Sequence, residues 1–252
     1  MTQRCGATTF SLAASVALAL TVGQAGAAIT PYFQDFEGLD ANSPTALGDD
    51  GWLVGANVFN PAGDTFLYNY FSFPAGNGAG GFSNVTSTAS NPPGSPPVGN
   101  QGLVVFSDYN NADHNIGNQI NALVFQERTV TSDDVGKRVK FSFVAADGDL
   151  EAPTTAAAFL ATIDPSNNFA DTNRIRIDTT TLPAGNTTFD ITLDIDAGLV
   201  GNLFQFGFES TAANFAASGV NYDNISLSVV PEPTAAALLA LGSVGLLRRH
   251  RW

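Results

Sequence analysis

Apolar and polar residues alternate along much of this chain, most cleanly from Thr188 to Ile195. Phe189, Ile191, Leu193 and Ile195 fall on one side there, and Thr188, Asp190, Thr192 and Asp194 on the other. Successive side chains of a strand point to opposite faces, so a period of two marks a half-buried strand. The same period recurs in Val139 to Ala145, Arg174 to Asp178 and Phe204 to Glu209. Further strands are predicted at Tyr32 to Phe36, Trp52 to Phe59, Thr65 to Phe73, Leu103 to Phe106, Ile120 to Val130, Ala157 to Ile163 and Val220 to Val229, about eleven in all. No stretch of the body sustains a helical period. Turn chemistry separates the runs, as in Asp147-Gly148-Asp149, Asp164-Pro165-Ser166-Asn167 and Pro183-Ala184-Gly185-Asn186. Pro74 to Gly81 and Asn91 to Asn100, rich in glycine and proline respectively, read as surface loops. This pattern predicts an all-β protein, an antiparallel β-sandwich of jelly-roll type.

Both ends depart from it. At the N-terminus Arg4 precedes an apolar stretch, Phe10 to Val22, and then Ala25-Gly26-Ala27, which is the layout of a Sec signal peptide over residues 1–27 cleaved after Ala27 or Ala28. That cleavage removes Cys5, the chain's one cysteine. The mature protein then has neither a disulfide nor a thiolate metal site. At the C-terminus, residues 230–252 hold Pro231-Glu232-Pro233, an apolar run from Thr234 to Leu247, and the basic cluster Arg248, Arg249 and Arg251. Basic flanks resist translocation, so such a run tethers a chain with its end in the cytoplasm. Its fourteen residues make a helix of about 21 Å, short for a hydrocarbon core of about 30 Å. A transient inner-membrane tether fits better than a permanent one. The prolines keep the segment before the run extended, ready for a processing enzyme.

This order of motif, apolar helix and arginines resembles the PEP-CTERM sorting signal of exopolysaccharide-producing Gram-negative bacteria. The resemblance implies recognition by an exosortase-type enzyme, removal of the tail, and a place at the cell surface or in the extracellular matrix.

Between the two signals lies one domain, residues 28–229, with six basic and twenty-two acidic side chains, a net charge of −16. So acidic a body repels nucleic acid and anionic lipid and favours divalent cations and neutral ligands. Nucleophilic catalysis has little to work with, since the body holds one histidine, His114, and no thiol or Gly-x-Ser-x-Gly elbow. His114 itself reads as an exposed loop residue. No catalytic residue is assigned, and a non-enzymatic adhesion or scaffolding role with weak polysaccharide binding is expected. A polysaccharide hydrolase or lyase and a protein-binding surface-layer component are the alternatives.

Sugar rings pack their C–H faces on flat aromatics. Trp52, Tyr68, Tyr70 and Tyr109 are the candidate platforms, near Asn69, Asp108, Asn110 and Asn111; burial between the sheets is the competing reading for each. Gln34-Asp35-Phe36-Glu37 and Asn221-Tyr222-Asp223-Asn224-Ile225 resemble the two ends of jelly-roll carbohydrate-binding modules of the galactose-binding-like type. There the first and last strands lie together and share a structural calcium, which the resemblance assigns here to Glu37 and Asp223. Oxygen ligands suit calcium; Asp147-Gly148-Asp149 and Asp194 to Gly198 are secondary candidates.

Overall fold

The alternating runs all become strands. The structure is a computed structural model that describes residues 28–78, 82–87, 96–107 and 112–231. Among these residues the strands are β1 (Tyr32–Gln34), β2 (Leu53–Phe59), β3 (Phe66–Pro74), β4 (Ser83–Ser87), β5 (Gln101–Val105), β6 (Gln119–Thr129), β7 (Lys137–Ala146), β8 (Thr155–Asp164), β9 (Ala170–Asp178), β10 (Thr187–Asp194), β11 (Leu203–Ala212) and β12 (Val220–Pro231). Among the described residues, helix is confined to one turn, α1 (Ala46–Asp49), and short 3-10 turns at Ala112–Ile116, Ser132–Asp134 and Ala197–Leu199. Only β4 escapes the periodic reading, because Ser-Asn-Val-Thr-Ser offers a single apolar side chain, Val85, to mark a face.

Two antiparallel sheets result. Sheet A runs β10-β7-β12-β5-β4 with β1 added against β12, and sheet B runs β3-β2-β6-β11-β8-β9. From β5 to β12 the chain passes between the sheets in the order A, B, A, B, B, A, B, A, which is the winding of a jelly roll. The earlier strands extend this eight-stranded unit, β2 and β3 beside β6, β4 beside β5, and β1 along β12.

Phenylalanine fills the space between the sheets. Phe141 and Phe143 of β7 face Phe206 and Phe208 of β11, with ring centroids 5.2 to 5.7 Å apart. Tyr222 stacks on Phe208 at 3.7 Å and satisfies its buried hydroxyl with Thr179 at 2.7 Å. A second apolar cluster, Leu123, Phe125, Phe159 and Ala161 with Leu53 against it, is separate from this core. Its members alternate with core residues Val124, Ala158 and Leu160, so they lie on the outer face of sheet B.

The leader (1–27), Tyr109, the apolar run from Thr234 to Leu247, and Glu232, Pro233, Arg248, Arg249 and Arg251 lie outside the described residues. Pro231 lies within them, at the end of β12 opposite Lys137. Among the described residues, no helix is long and apolar enough to cross a membrane.

Candidate functional site

The four candidate platforms do not form one surface. Trp52 corrects the sequence reading: it is fully buried, stacked over Phe208 at 6.4 Å, with its indole N–H donating to Tyr32 Oη at 3.0 Å and to Asp50 Oδ2 at 3.2 Å. Trp52 leads into β2, whose inward positions Val54, Ala56 and Val58 belong to the core. Tyr68 and Tyr70 stay together on β3 with rings 6.2 Å apart. They pair with Val58 and Ala56 and therefore share the inner face, but at the sheet edge, where Tyr68 is 43% exposed and its hydroxyl donates to the Asp113 carboxylate. Tyr70 is half-buried against Phe82. His114, expected to be exposed, is buried in the Ala112–Ile116 turn, edge-on to Phe215 at 5.3 Å.

A polar row on the outer face of sheet B was not foreseen. Asn57 stands between core residues Ala56 and Val58 and points outward. Register places Asn69 beside it on β3 and Asn121 beside it on β6; Thr211 follows on β11 and Thr155 on β8. Five amide or hydroxyl side chains thus cross five strands at one level. Asn57 Nδ2 donates to Asn121 Oδ1 at 3.5 Å, and Asn121 Nδ2 to Thr211 Oγ1 at 2.9 Å and Glu209 Oε2 at 3.4 Å. Glu209, one level along, also pairs with Arg176 of β9. Beyond it Arg174 lies over the Phe159 ring, 5.1 Å from its centroid. Gln205 donates to Glu127 at 2.7 Å; burial raises the Glu127 pKa, against the lowering effect of that bond. The signal available in the sequence was the pair of asparagines within the strands Leu53–Phe59 and Gln119–Thr129, where asparagine is disfavoured unless something requires it.

Glu127 and Glu209 share this face. Glu209 lies opposite Leu123, four residues from Glu127 and so about 13 Å away along the strand.

The first and last strands do lie together. β1 pairs with β12 from Tyr32↔Leu227 to Gln34↔Ile225, while β5 pairs with the earlier part of β12 at Val220 to Tyr222. At this change of neighbour β12 bulges between Asp223 and Ser226, and Asn224 takes a φ of +46°. The carboxylate of Asp223, buried at 1% exposure, accepts from the N–H of Val98 at 3.0 Å and of Asn224 at 2.6 Å. Exposed Glu37 grips the same incoming segment through the N–H groups of Asn100 at 2.5 Å and Gln101 at 2.9 Å. Burial pushes the Asp223 carboxyl up to about 6, opposed by those two N–H groups and assisted by the negative charges of Glu37 and Asp35. Gln101 Oε1 is buried here without a hydrogen-bond partner. Among the described residues, no group of three or more acidic or histidine side chains converges to hold a metal. Two carboxylates and an orphaned amide oxygen are nonetheless hard donors under net negative charge, which fits a calcium ion completed by carbonyls.

The secondary acids have other partners. Asp149 accepts from Gly219 N at 3.0 Å, Asp196 from Gly198 N at 2.7 Å, and Asp194 pairs with Arg138 at 2.5 Å.

No family model and no curated protein sequence matches the chain. Among solved structures it is similar to tailspike protein 4 of bacteriophage CBA120, at 12% identity and a TM-score of 0.41 over 76% of this chain and 21% of that one. The chain thus spans about a fifth of that protein's length. A cyclase from Fischerella sp. TAU matches at 12% identity and 0.44, over 81% and 100%. A CBM22-1 xylan-binding domain from Paenibacillus barcinonensis matches at 13% and 0.36, over 60% and 83%. Likenesses this distant do not discriminate between functions.

Proposed function

We propose that this is an exported, non-enzymatic β-sandwich protein of the cell surface or extracellular matrix of a Gram-negative bacterium, binding neutral polysaccharide weakly across the outer face of sheet B. The observation that carries the reading is the row Asn69, Asn57, Asn121, Thr211 and Thr155. Amides and hydroxyls in line offer donors and acceptors to successive sugar hydroxyls, and the row runs across the strands as a polymer track would. Affinity electrophoresis of the protein in gels containing neutral polysaccharides tests it. Retardation of the wild type by at least one polymer, lost in Asn57→Ala and Asn121→Ala but retained in Ala170→Lys on the far edge, is the expected result. No retardation by any polymer, or equal retardation of all variants, overturns it.

Delivery follows from the ends. Sec export, a brief inner-membrane tether through the run from Thr234 to Leu247 and exosortase-type cleavage at Pro231-Glu232-Pro233 would release or attach the domain. Mass spectrometry of the exported protein checks this, since a C-terminus still ending in Trp252 excludes processing. A structural calcium at Glu37, Asp223 and Gln101 would join the β1 end, the β5 entry and the β12 bulge by neutralising their carboxylates. Calorimetry with EDTA-treated protein should register calcium binding and a raised melting temperature, both absent in Asp223→Ala.

One observation favours a second reading. The raised pKa of Glu127 is what a general acid needs, so a hydrolase would lose its activity in Glu127→Gln.

A further inference from the structure

We propose that leader cleavage falls between Ala28 and Ile29, and that the new Ile29 ammonium locks into a buried ion pair with Asp134. The inference rests on the Sec reading above. Ile29 is buried, its side chain in the main core, and its backbone nitrogen lies 3.1 Å from Asp134 Oδ1. Asp134, in the turn between β6 and β7, is fully buried. Its Oδ2 accepts from Thr131 N at 2.9 Å and Thr131 Oγ1 at 2.8 Å, and its Oδ1 takes Lys137 Nζ at 3.2 Å besides Ile29. This carboxylate is built to be ionised inside the protein, and its one side-chain cation, Lys137, is a third exposed.

Processing supplies a second cation. A host signal peptidase adds water across the Ala28–Ile29 peptide bond: the oxygen goes to the Ala28 carbonyl carbon, which leaves as a carboxylate, and the Ile29 nitrogen becomes an amine. An α-amine has a pKa near 8, so it takes a further proton at neutral pH. The ammonium then occupies the place where the amide N–H donated, now with a full charge opposite a desolvated carboxylate, where pairing matters most. Gly26 and Ala28 supply the small side chains that cleavage there needs. An unprocessed chain has only the weaker amide contact, so the domain gains its last internal tie once the leader is gone.

The full-length chain, expressed with its own leader in a Gram-negative host and purified from the exported fraction, tests this in two steps. Intact mass should place Ile29 at the N-terminus. A start at Ala28 or beyond Ile29 overturns the inference while leaving export standing, and a retained leader overturns the export reading as well. Acylation of the α-amine at neutral pH, compared in native buffer and in urea, should then be slowed at least about tenfold in the native protein, as for a group reached only by local opening. Equal labelling in both states overturns the ion pair, and this measurement needs no variant. In Asp134→Asn the protection should fall while Lys140, which pairs with Asp190 instead, labels as before; undiminished protection overturns the role of Asp134.

Discussion

Gly207 occupies a point in β11 where a methyl group has no room. A Cβ placed there would lie 2.2 Å from the Val124 carbonyl oxygen and 2.6 Å from Phe125 Cα, so the close approach of β11 and β6 depends on its absence. Gly207→Ala should cost roughly 1 to 3 kcal/mol, read as a lower urea midpoint; an unchanged midpoint would mean that the strands part easily. Asp134 makes the acid-side prediction. Burial alone would raise its pKa, but the Thr131 N–H and hydroxyl, the Ile29 N–H and Lys137 together hold it below the ordinary 3.8. A depressed folded pKa stabilises above the unfolded value and the benefit is lost as pH falls through the folded one. The stability gap between wild type and Asp134→Asn should therefore be full at pH 7 and shrink below about pH 4, measured by urea melts. Single residues were also where sequence reading was weakest. Trp52 and Tyr68 have equal claims as sugar platforms on chemistry alone. Only the register of β2 against β3, and the breadth of the opposite sheet, separates a ring in the core from one at the rim.

At the scale of elements, β10 was legible because one of its faces is wet and the period of two is unbroken. β6 and β8 were legible as strands but not as strands buried on both faces. Their unbroken apolar runs, such as Ala156 to Ala161, gave the clue: a strand buried on both faces loses its alternation. The two edges of sheet B differ in kind. β9 carries Asp171, Arg174, Arg176 and Asp178, charges that discourage pairing with another chain. β3 has no charge from Thr65 to Ala75, and Phe66, Leu67, Tyr68 and Phe73 are all more than 40% exposed along it. Among the described residues its protection lies in two register shifts, near Phe71 to Phe73 and Phe66 to Tyr68, which bend the edge. Concentrated protein should therefore self-associate through β3, the more so at high salt, where repulsion between acidic bodies is screened. Leu67→Lys should shift the sedimentation profile toward monomer without lowering the melting temperature. A profile that does not change would exclude β3 as the contact.

For the molecule as a whole, the jelly-roll winding and the acidity are readable in the sequence, since both are sums over many residues. The proposed binding face is not, because it exists only when five strands from Asn57 to Thr211 fall into one register, and pairing at such separation leaves no local mark. Charge and face together fix what the protein can hold. Within residues 28–229 six basic side chains serve twenty-two acids, and five of the six are already in ion pairs with them: Lys137, Arg138, Lys140, Arg174 and Arg176. An anionic polymer would therefore meet repulsion across the surface and few uncommitted cations. A neutral chain meets only the amides and hydroxyls of the row, and binding it releases no condensed counterions. Salt then separates the cases. Retardation by a neutral polysaccharide should stay constant from about 50 to 500 mM salt, whereas binding through charge would fall steeply over that range. An anionic polymer should bind only with a divalent cation present to bridge carboxylates on both partners. Tight, cation-independent binding to an anionic polymer that weakened with salt would place the contact elsewhere than on the asparagine row.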